Sequence, residues 1–133
     1  LKKEMSKQCK ETGNYSKVVM VTSIVGKAGL SIASLYSAFK GSIVALAKSM
    51  GREFSRFANV NAVAAGPFKE RRMQGPKDRI KTKYAMTSTA MVNRDITFDK
   101  VAPMICFLAS DDADMITGQI FNVDGGLWLK LEQ

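Results

Sequence analysis

The sequence predicts an α/β fold built on a parallel sheet, and three observations carry that prediction. Short β-branched or apolar runs appear at Lys17–Thr22 (KVVMVT), at Ala58–Val63 (ANVNAV) and near Gln119–Val123. The first two are separated by a stretch of helical periodicity, from about Ser34 to Phe54. A second helical stretch, running from Thr97 through Val101, Ile105 and Leu108, precedes the third. Strand, helix, strand, helix, strand is the order of parallel strands joined by crossover helices.

Each element has its own signal. Residues 1–9 (LKKEMSKQC) read as the end of a helix, halted at the polar break Thr12-Gly13-Asn14. Lys17–Thr22 lacks the apolar–polar alternation of a half-solvated strand, which predicts a buried parallel one. Ser23 to Ser34 is a small-residue loop containing Gly26 and Gly29. Ser34 is placed as the N-cap of the next helix, whose apolar face is read as Tyr36, Phe39, Ile43, Leu46, Ala47, Met50 and Phe54. The second strand ends at Ala64-Ala65-Gly66-Pro67. Residues 68–96 are basic and polar, broken at Gly75-Pro76, with a weak helix expected around Lys77 to Ala90. Thr97 is placed as an N-cap, and Asp124-Gly125-Gly126 closes the last strand. Strands of this kind require helices on both faces, and three of them make a small sheet, so the architecture reads as unfinished.

Composition narrows the chemistry. The chain has 133 residues, room for one compact domain, with 46% apolar and 24% charged residues, the balance of a globular protein. No apolar run approaches the roughly 20 residues of a spanning helix, so no membrane association is expected. There is no histidine, which excludes Ser-His-Asp and Cys-His catalysis and leaves Tyr, Lys, Asp, Glu or Cys as general acid. Cys9 and Cys106 stand apart without CxxC spacing; they are read as small apolar packing residues in a reducing compartment, and no metal site is expected. Leu1-Lys2-Lys3-Glu4-Met5 carries neither an initiator Met nor a signal-peptide pattern, which points to a processed or incomplete chain. Net charge is +8, with a basic concentration at Lys69, Arg71, Arg72, Lys77, Arg79, Lys81 and Lys83. Such a run is first a solvated loop and helix face. The alternative is an anionic partner, a phosphorylated substrate or an acidic carrier protein. No nucleic-acid motif or interleaved aromatic pattern accompanies the charge, which argues against nucleic acid.

Tyr36 and Lys40 lie four residues apart at the start of the predicted helix and therefore project from one face. Alone, such a tyrosine reads as a core residue whose hydroxyl reaches water. As a pair the two carry a specific chemistry. A free phenol has a pKa of about 10, too high to exchange protons efficiently near neutrality, and an ammonium one turn away favours the phenolate. Ser23 follows a strand and opens a glycine-containing loop, a position that presents hydroxyls to a cleft.

The whole phrase is more informative than its parts. Ser23, then Tyr36-Ser37-Ala38-Phe39-Lys40-Gly41, an amphipathic helix, and Val60-Asn61-Ala62-Val63-Ala64-Ala65-Gly66 together resemble the short-chain dehydrogenase/reductase family. Phe107 to Asp112, Ile116-Thr117-Gly118-Gln119 and Val123-Asp124-Gly125-Gly126 resemble that family's C-terminal region, most closely the β-ketoacyl-acyl-carrier-protein reductases. The resemblance implies the C-terminal portion of a doubly wound, Rossmann-like parallel sheet, with residues 1–133 forming a partial domain that lacks its N-terminal cofactor-binding half. It implies an NADPH- or NADH-dependent oxidoreductase that reduces a carbonyl, 3-oxoacyl-like and small or carrier-linked, to an alcohol. Ser23 would polarise that carbonyl, Tyr36 would donate the proton, and Lys40 would hold the ribose and lower the tyrosine pKa. Gly66, with Pro67 and Phe68 beside it, would contact the nicotinamide. A cytoplasmic or organelle-matrix enzyme is expected, as a homo-oligomer (dimer or tetramer) or completed by a partner chain. Ile32, Leu35, Ala38, Val44 and Ala45 are read as the associating positions.

Two departures from the family pattern bear on this. The family's glycine-rich TGxxxGxG turn, which holds the pyrophosphate, has no counterpart in the chain, and the catalytic asparagine would precede Leu1. Around the second strand's end the proline follows the glycine instead of preceding it, and Glu70 stands where a threonine is common. The alternative to a reductase is a non-catalytic structural subunit or degenerate remnant of the same fold within a larger assembly; a basic nucleic-acid module is the third reading. The chain alone is expected neither to bind a dinucleotide nor to catalyse reduction.

Overall fold

The computed structural model describes residues 1–31, 33–69, 91–92 and 94–131. The elements are α1 (Lys2–Thr12), β1 (Ser16–Ser23), α2 (Val25–Ala28), α3 (Ser34–Glu53), β2 (Ala58–Ala65), α4 (Phe98–Ala109), a 3₁₀ turn (Asp111–Ala113), β3 (Ile120–Val123) and α5 (Leu127–Leu131). The helix expected around Lys77 to Ala90, the basic positions beyond Lys69, and Ile32 and Glu70 lie outside the described residues.

The three strands form a parallel sheet in the order β1-β2-β3. β2 is central and buried along its whole length, whereas β1, at an edge, is mostly half-exposed. The alternation of side chains divides the core into two layers. Val19, Val63, Ala65, Phe121 and Val123 meet α4 through Val101 and Leu108 on one face. Val18, Met20, Ala58 and Val60 meet Met5 and Cys9 of α1, Met50 of α3 and Phe54 just after it on the other. Helices on both faces of a parallel sheet make the arrangement doubly wound.

β3 pairs only with Ala62–Ala65, so the first half of β2 needs other partners. The segment before β3 supplies them. The amide of Val60 donates to Thr117 Oγ1 (3.1 Å), and Gly118 N–H donates to the Val60 carbonyl (2.7 Å). Asn61 Nδ2 donates to the Ile116 carbonyl (2.7 Å), while its Oδ1 accepts from Gln119 N–H (3.0 Å). Asn59 Nδ2 donates to the Asp114 carbonyl (2.8 Å), and the largely buried Lys17 ammonium joins Asn59 Oδ1 (3.1 Å) to the Asp114 carboxylate. Two asparagines in a buried strand thus satisfy backbone that would otherwise be orphaned.

Several expectations are corrected. The N-cap of α3 is Ala33, without a side-chain bond, and Ser34 is the first helical residue. The loop after Ser23 contains the one-turn helix α2. The larger difference concerns the inward face of α3. Tyr36, Phe39 and Leu46 are 47%, 63% and 49% exposed and stand outside the core, whereas Ile43 is half-buried and Ala47, Met50 and Phe54 pack inward as the periodicity indicates. Beside them the inward face adds small or half-buried residues that the periodicity does not pick out, Ser37, Gly41, Val44 and Gly51. Small residues are required because backbone lies directly opposite. A Cβ on Gly51 would stand 2.8 Å from Gly118 Cα, and one on Gly41 would stand 3.1 Å from the Gly26 carbonyl oxygen. Val44, expected to face outward, is half-buried, whereas Leu35, Ala38 and Ala45 are exposed as expected. Cys9 packs against the core cluster around Phe54 and Phe57, but Cys106 is exposed and is not a packing residue. Thr97 stands at the N-cap position of α4, without a side-chain bond to the helix backbone, and its hydroxyl, followed by the Lys100 ammonium, holds the Asp99 carboxyl below its ordinary range.

Candidate active site

The register Ser23↔Ala65 and Ala65↔Val123 brings the C-terminal ends of all three strands level. In open parallel sheets ligands bind outside this edge. Ser23 ends β1, Gly66 follows β2 and Asp124 follows β3, so the three positions lie side by side.

Lys40 is held by residues immediately before Ser23. Its ammonium donates to the Val21 carbonyl (3.2 Å), and its own carbonyl accepts from the Thr22 hydroxyl (2.7 Å). The ammonium lies 5.9 Å from the centre of the Tyr36 ring and 5.8 Å from that of Phe39. Tyr36 and Lys40 therefore share one face of the first turns of α3, with Lys40 leaning toward β1. Among the described residues the hydroxyls of Ser23 and Tyr36 have no hydrogen-bond partner. α2 closes the corner: a Cβ on Gly26 would stand 2.6 Å from the Lys40 carbonyl carbon and 2.8 Å from its Cβ.

Gly66 occupies a tight position of a different kind. Its N–H donates to the Val123 carbonyl (3.1 Å), and a Cβ there would stand 2.5 Å from Ile96 Cδ1 and 3.1 Å from Asp124 Cα. A side chain there would require the Ile96 side chain to turn aside and the Asp124 backbone to give by a few tenths of an ångström. Pro67 is half-buried, and the half-buried Phe68 packs against the ring of Phe98 at 4.5 Å between centres. The buried Asp124 accepts from Gly126 N–H (3.0 Å) and Trp128 N–H (2.7 Å), which turns the chain from β3 into α5. Gly125 and Gly126 have φ of 64° and 82°, a conformation that glycine adopts without strain. Among the described residues no cluster of three Cys, Asp or Glu side chains could hold a metal, and no helix is long and apolar enough to cross a membrane.

Sequence reasoning did not find Thr22 or Gly26. Gly26 was visible as a small residue in the loop, but its contact with α3 depends on how the helix crosses the strand. Thr22 was visible only as the neighbour of Ser23.

Comparison with known proteins finds a family model and relatives to which the chain is similar. A family model described as enoyl-(acyl carrier protein) reductase matches residues 1–128. A short-chain dehydrogenase/reductase of Armillaria gallica is 34% identical over 94% of this chain and 50% of its own length. A 3-oxoacyl-[acyl-carrier-protein] reductase of Thermotoga maritima is 36% identical over 83% of this chain and 44% of its own length. Among solved structures, an actinorhodin polyketide ketoreductase with NADPH superposes with a TM-score of 0.75 at 28% identity, covering 91% of this chain and 50% of its own. The chain belongs to the short-chain dehydrogenase/reductase family. It spans about half the length of the curated relatives it matches.

Proposed function

We propose that the complete protein reduces a carbonyl to an alcohol with a nicotinamide dinucleotide, NADPH or NADH, and that Ser23, Tyr36 and Lys40 are its catalytic residues. The observation that carries this reading is the anchoring of Lys40 to Val21 and Thr22, which joins the helix bearing Tyr36 to the strand ending in Ser23. A hydroxyl at a strand terminus, a phenol and an ammonium form a donor set suited to a carbonyl oxygen and to ribose hydroxyls. Ser23 donates to the carbonyl oxygen and fixes its direction. Tyr36 gives its hydroxyl proton to that oxygen as negative charge develops on it. Lys40, released from the Val21 carbonyl, reaches the ribose and the phenol.

The cofactor, when bound, supplies the hydride. This chain's residues fit only its nicotinamide-ribose end: Tyr36, Lys40 and the Gly66-Pro67-Phe68 turn border the strand ends, and the sequence holds no glycine-rich turn for the pyrophosphate. Because Gly66 N–H is committed to Val123, contact with the carboxamide falls to the rest of that turn. A 3-oxoacyl thioester is the proposed substrate, supported by the likeness to 3-oxoacyl-carrier reductases. Leu35 (89% exposed), Phe39 and Leu46 give α3 an apolar outer surface suited to a second subunit, hence a dimer or tetramer. The test is turnover by the full-length protein with a 3-oxoacyl thioester and each nucleotide. Reduction with NADPH or NADH is expected; no turnover with either contradicts the reading.

A further inference from the structure

We propose that Thr22 is a positioning residue for the reduction: its buried hydroxyl sets where Lys40 stands relative to Ser23. The proposal rests on the reading of Ser23, Tyr36 and Lys40 as the catalytic set.

Thr22 is 3% exposed, and its hydroxyl donates to the Lys40 carbonyl at 2.7 Å, across eighteen residues of sequence. That carbonyl belongs to the backbone of α3, so the bond fastens the helix itself rather than a mobile side chain. Val21 meanwhile accepts from the Lys40 ammonium at 3.2 Å. Two consecutive residues of β1 thus hold Lys40 at its backbone and at its tip, and the next residue is Ser23. The opposite side has no slack, since Gly26 presses on the Lys40 backbone so closely that a Cβ would stand 2.6 Å from its carbonyl carbon. A pull from Thr22 and a limit at Gly26 define one position for the start of α3.

Burial alone does not call for a hydroxyl at this position. Val18 and Met20 share its face of β1 and are apolar, and valine would match threonine in shape and strand preference. The hydroxyl's partner is the carbonyl of the one lysine that the reaction requires. Displacing that lysine alters the geometry of proton delivery more than it alters substrate binding, so the effect belongs in kcat.

The experiment compares Thr22→Val, which keeps the shape without the hydroxyl, with Thr22→Ser, which keeps the hydroxyl without the methyl, in the full-length protein. Both are measured well below their melting temperatures, with Tyr36→Phe alongside. Thr22→Val is expected to lower kcat by about 10-fold or more, the scale of sub-ångström misplacement, with KM nearly unchanged. Thr22→Ser is expected to restore most of kcat. If Thr22→Val does not fold, Thr22→Ala takes its place with the same expected loss. A hydroxyl-free variant with normal kcat overturns the proposal, as does a Thr22→Ser variant as slow as Thr22→Val. Normal turnover by Tyr36→Phe would instead overturn the catalytic assignment beneath it.

Discussion

Gly26→Ala tests the packing that assembles the site. Gly26 lies in α2 with ordinary helical φ, so alanine meets no backbone strain there and gains helix propensity of up to about 1 kcal/mol. The cost is wholly steric. The added Cβ would stand 2.6 Å from the Lys40 carbonyl carbon, 2.7 Å from its oxygen and 2.8 Å from its Cβ, while ordinary contact begins at 3.4 Å. The atoms opposite are mainly backbone of a twenty-residue helix, so α2 and the start of α3 must separate by up to about 0.8 Å. Overpacking of this kind costs about 1–3 kcal/mol, which outweighs the propensity gain. The same displacement moves Lys40 away from Ser23 and is expected to lower kcat/KM by about 10- to 100-fold. Thermal melts and initial rates of the full-length variant measure the two effects. Gly13→Ala is the contrast: φ is +74° with nothing within 4 Å, so it should lose about 1 kcal/mol to left-handed strain and leave turnover unchanged. Unaltered melting and turnover in Gly26→Ala would refute the close crossing of α2 and α3.

Two further outcomes are expected. Asn61→Leu strands the Ile116 carbonyl and the Gln119 N–H, both paired by the buried Asn61 side chain, and should destabilise the protein by about 1–3 kcal/mol in urea titration. An unchanged midpoint would show that the segment before β3 is held otherwise. Residues 1–133 alone should show no micromolar binding of NADH or NADPH by calorimetry, because the sequence holds no glycine turn for the pyrophosphate. Micromolar binding would show that other residues hold the cofactor.

The order of elements was legible because buried strands and crossover helices leave different periodicities, and 17–22, 58–63 and 97–108 each carry one clearly. The inward face of α3 was legible only toward its C-terminal end, where Ala47, Met50 and Phe54 pack inward as read. Periodicity finds the stripe of largest apolar residues, and here Phe39 and Leu46 belong to the outer surface, while Gly41 and Gly51 let the helix approach neighbouring backbone. α2 escaped notice because four residues are too few to show a period. The strand at 58–63 was legible, but the role of Asn59 and Asn61 in completing its bonding was not, because their partners lie more than fifty residues away. Ser23, Tyr36 and Lys40 were legible as a phrase at family-like spacing, whereas the Thr22–Lys40 bond depends on a crossing angle no linear pattern encodes.

The central claim is that the Tyr36 phenol delivers the proton, and Tyr36→Phe in the full-length protein tests it most directly. The substitution removes one oxygen and keeps the ring against which the Lys40 ammonium rests at 5.9 Å, so dinucleotide affinity should stay within a few-fold of normal. Measured in a single turnover with bound nucleotide, reduction should fall by at least about 100-fold, the scale of a lost general acid. Reduction at a near-normal rate, with affinity intact, would contradict the account.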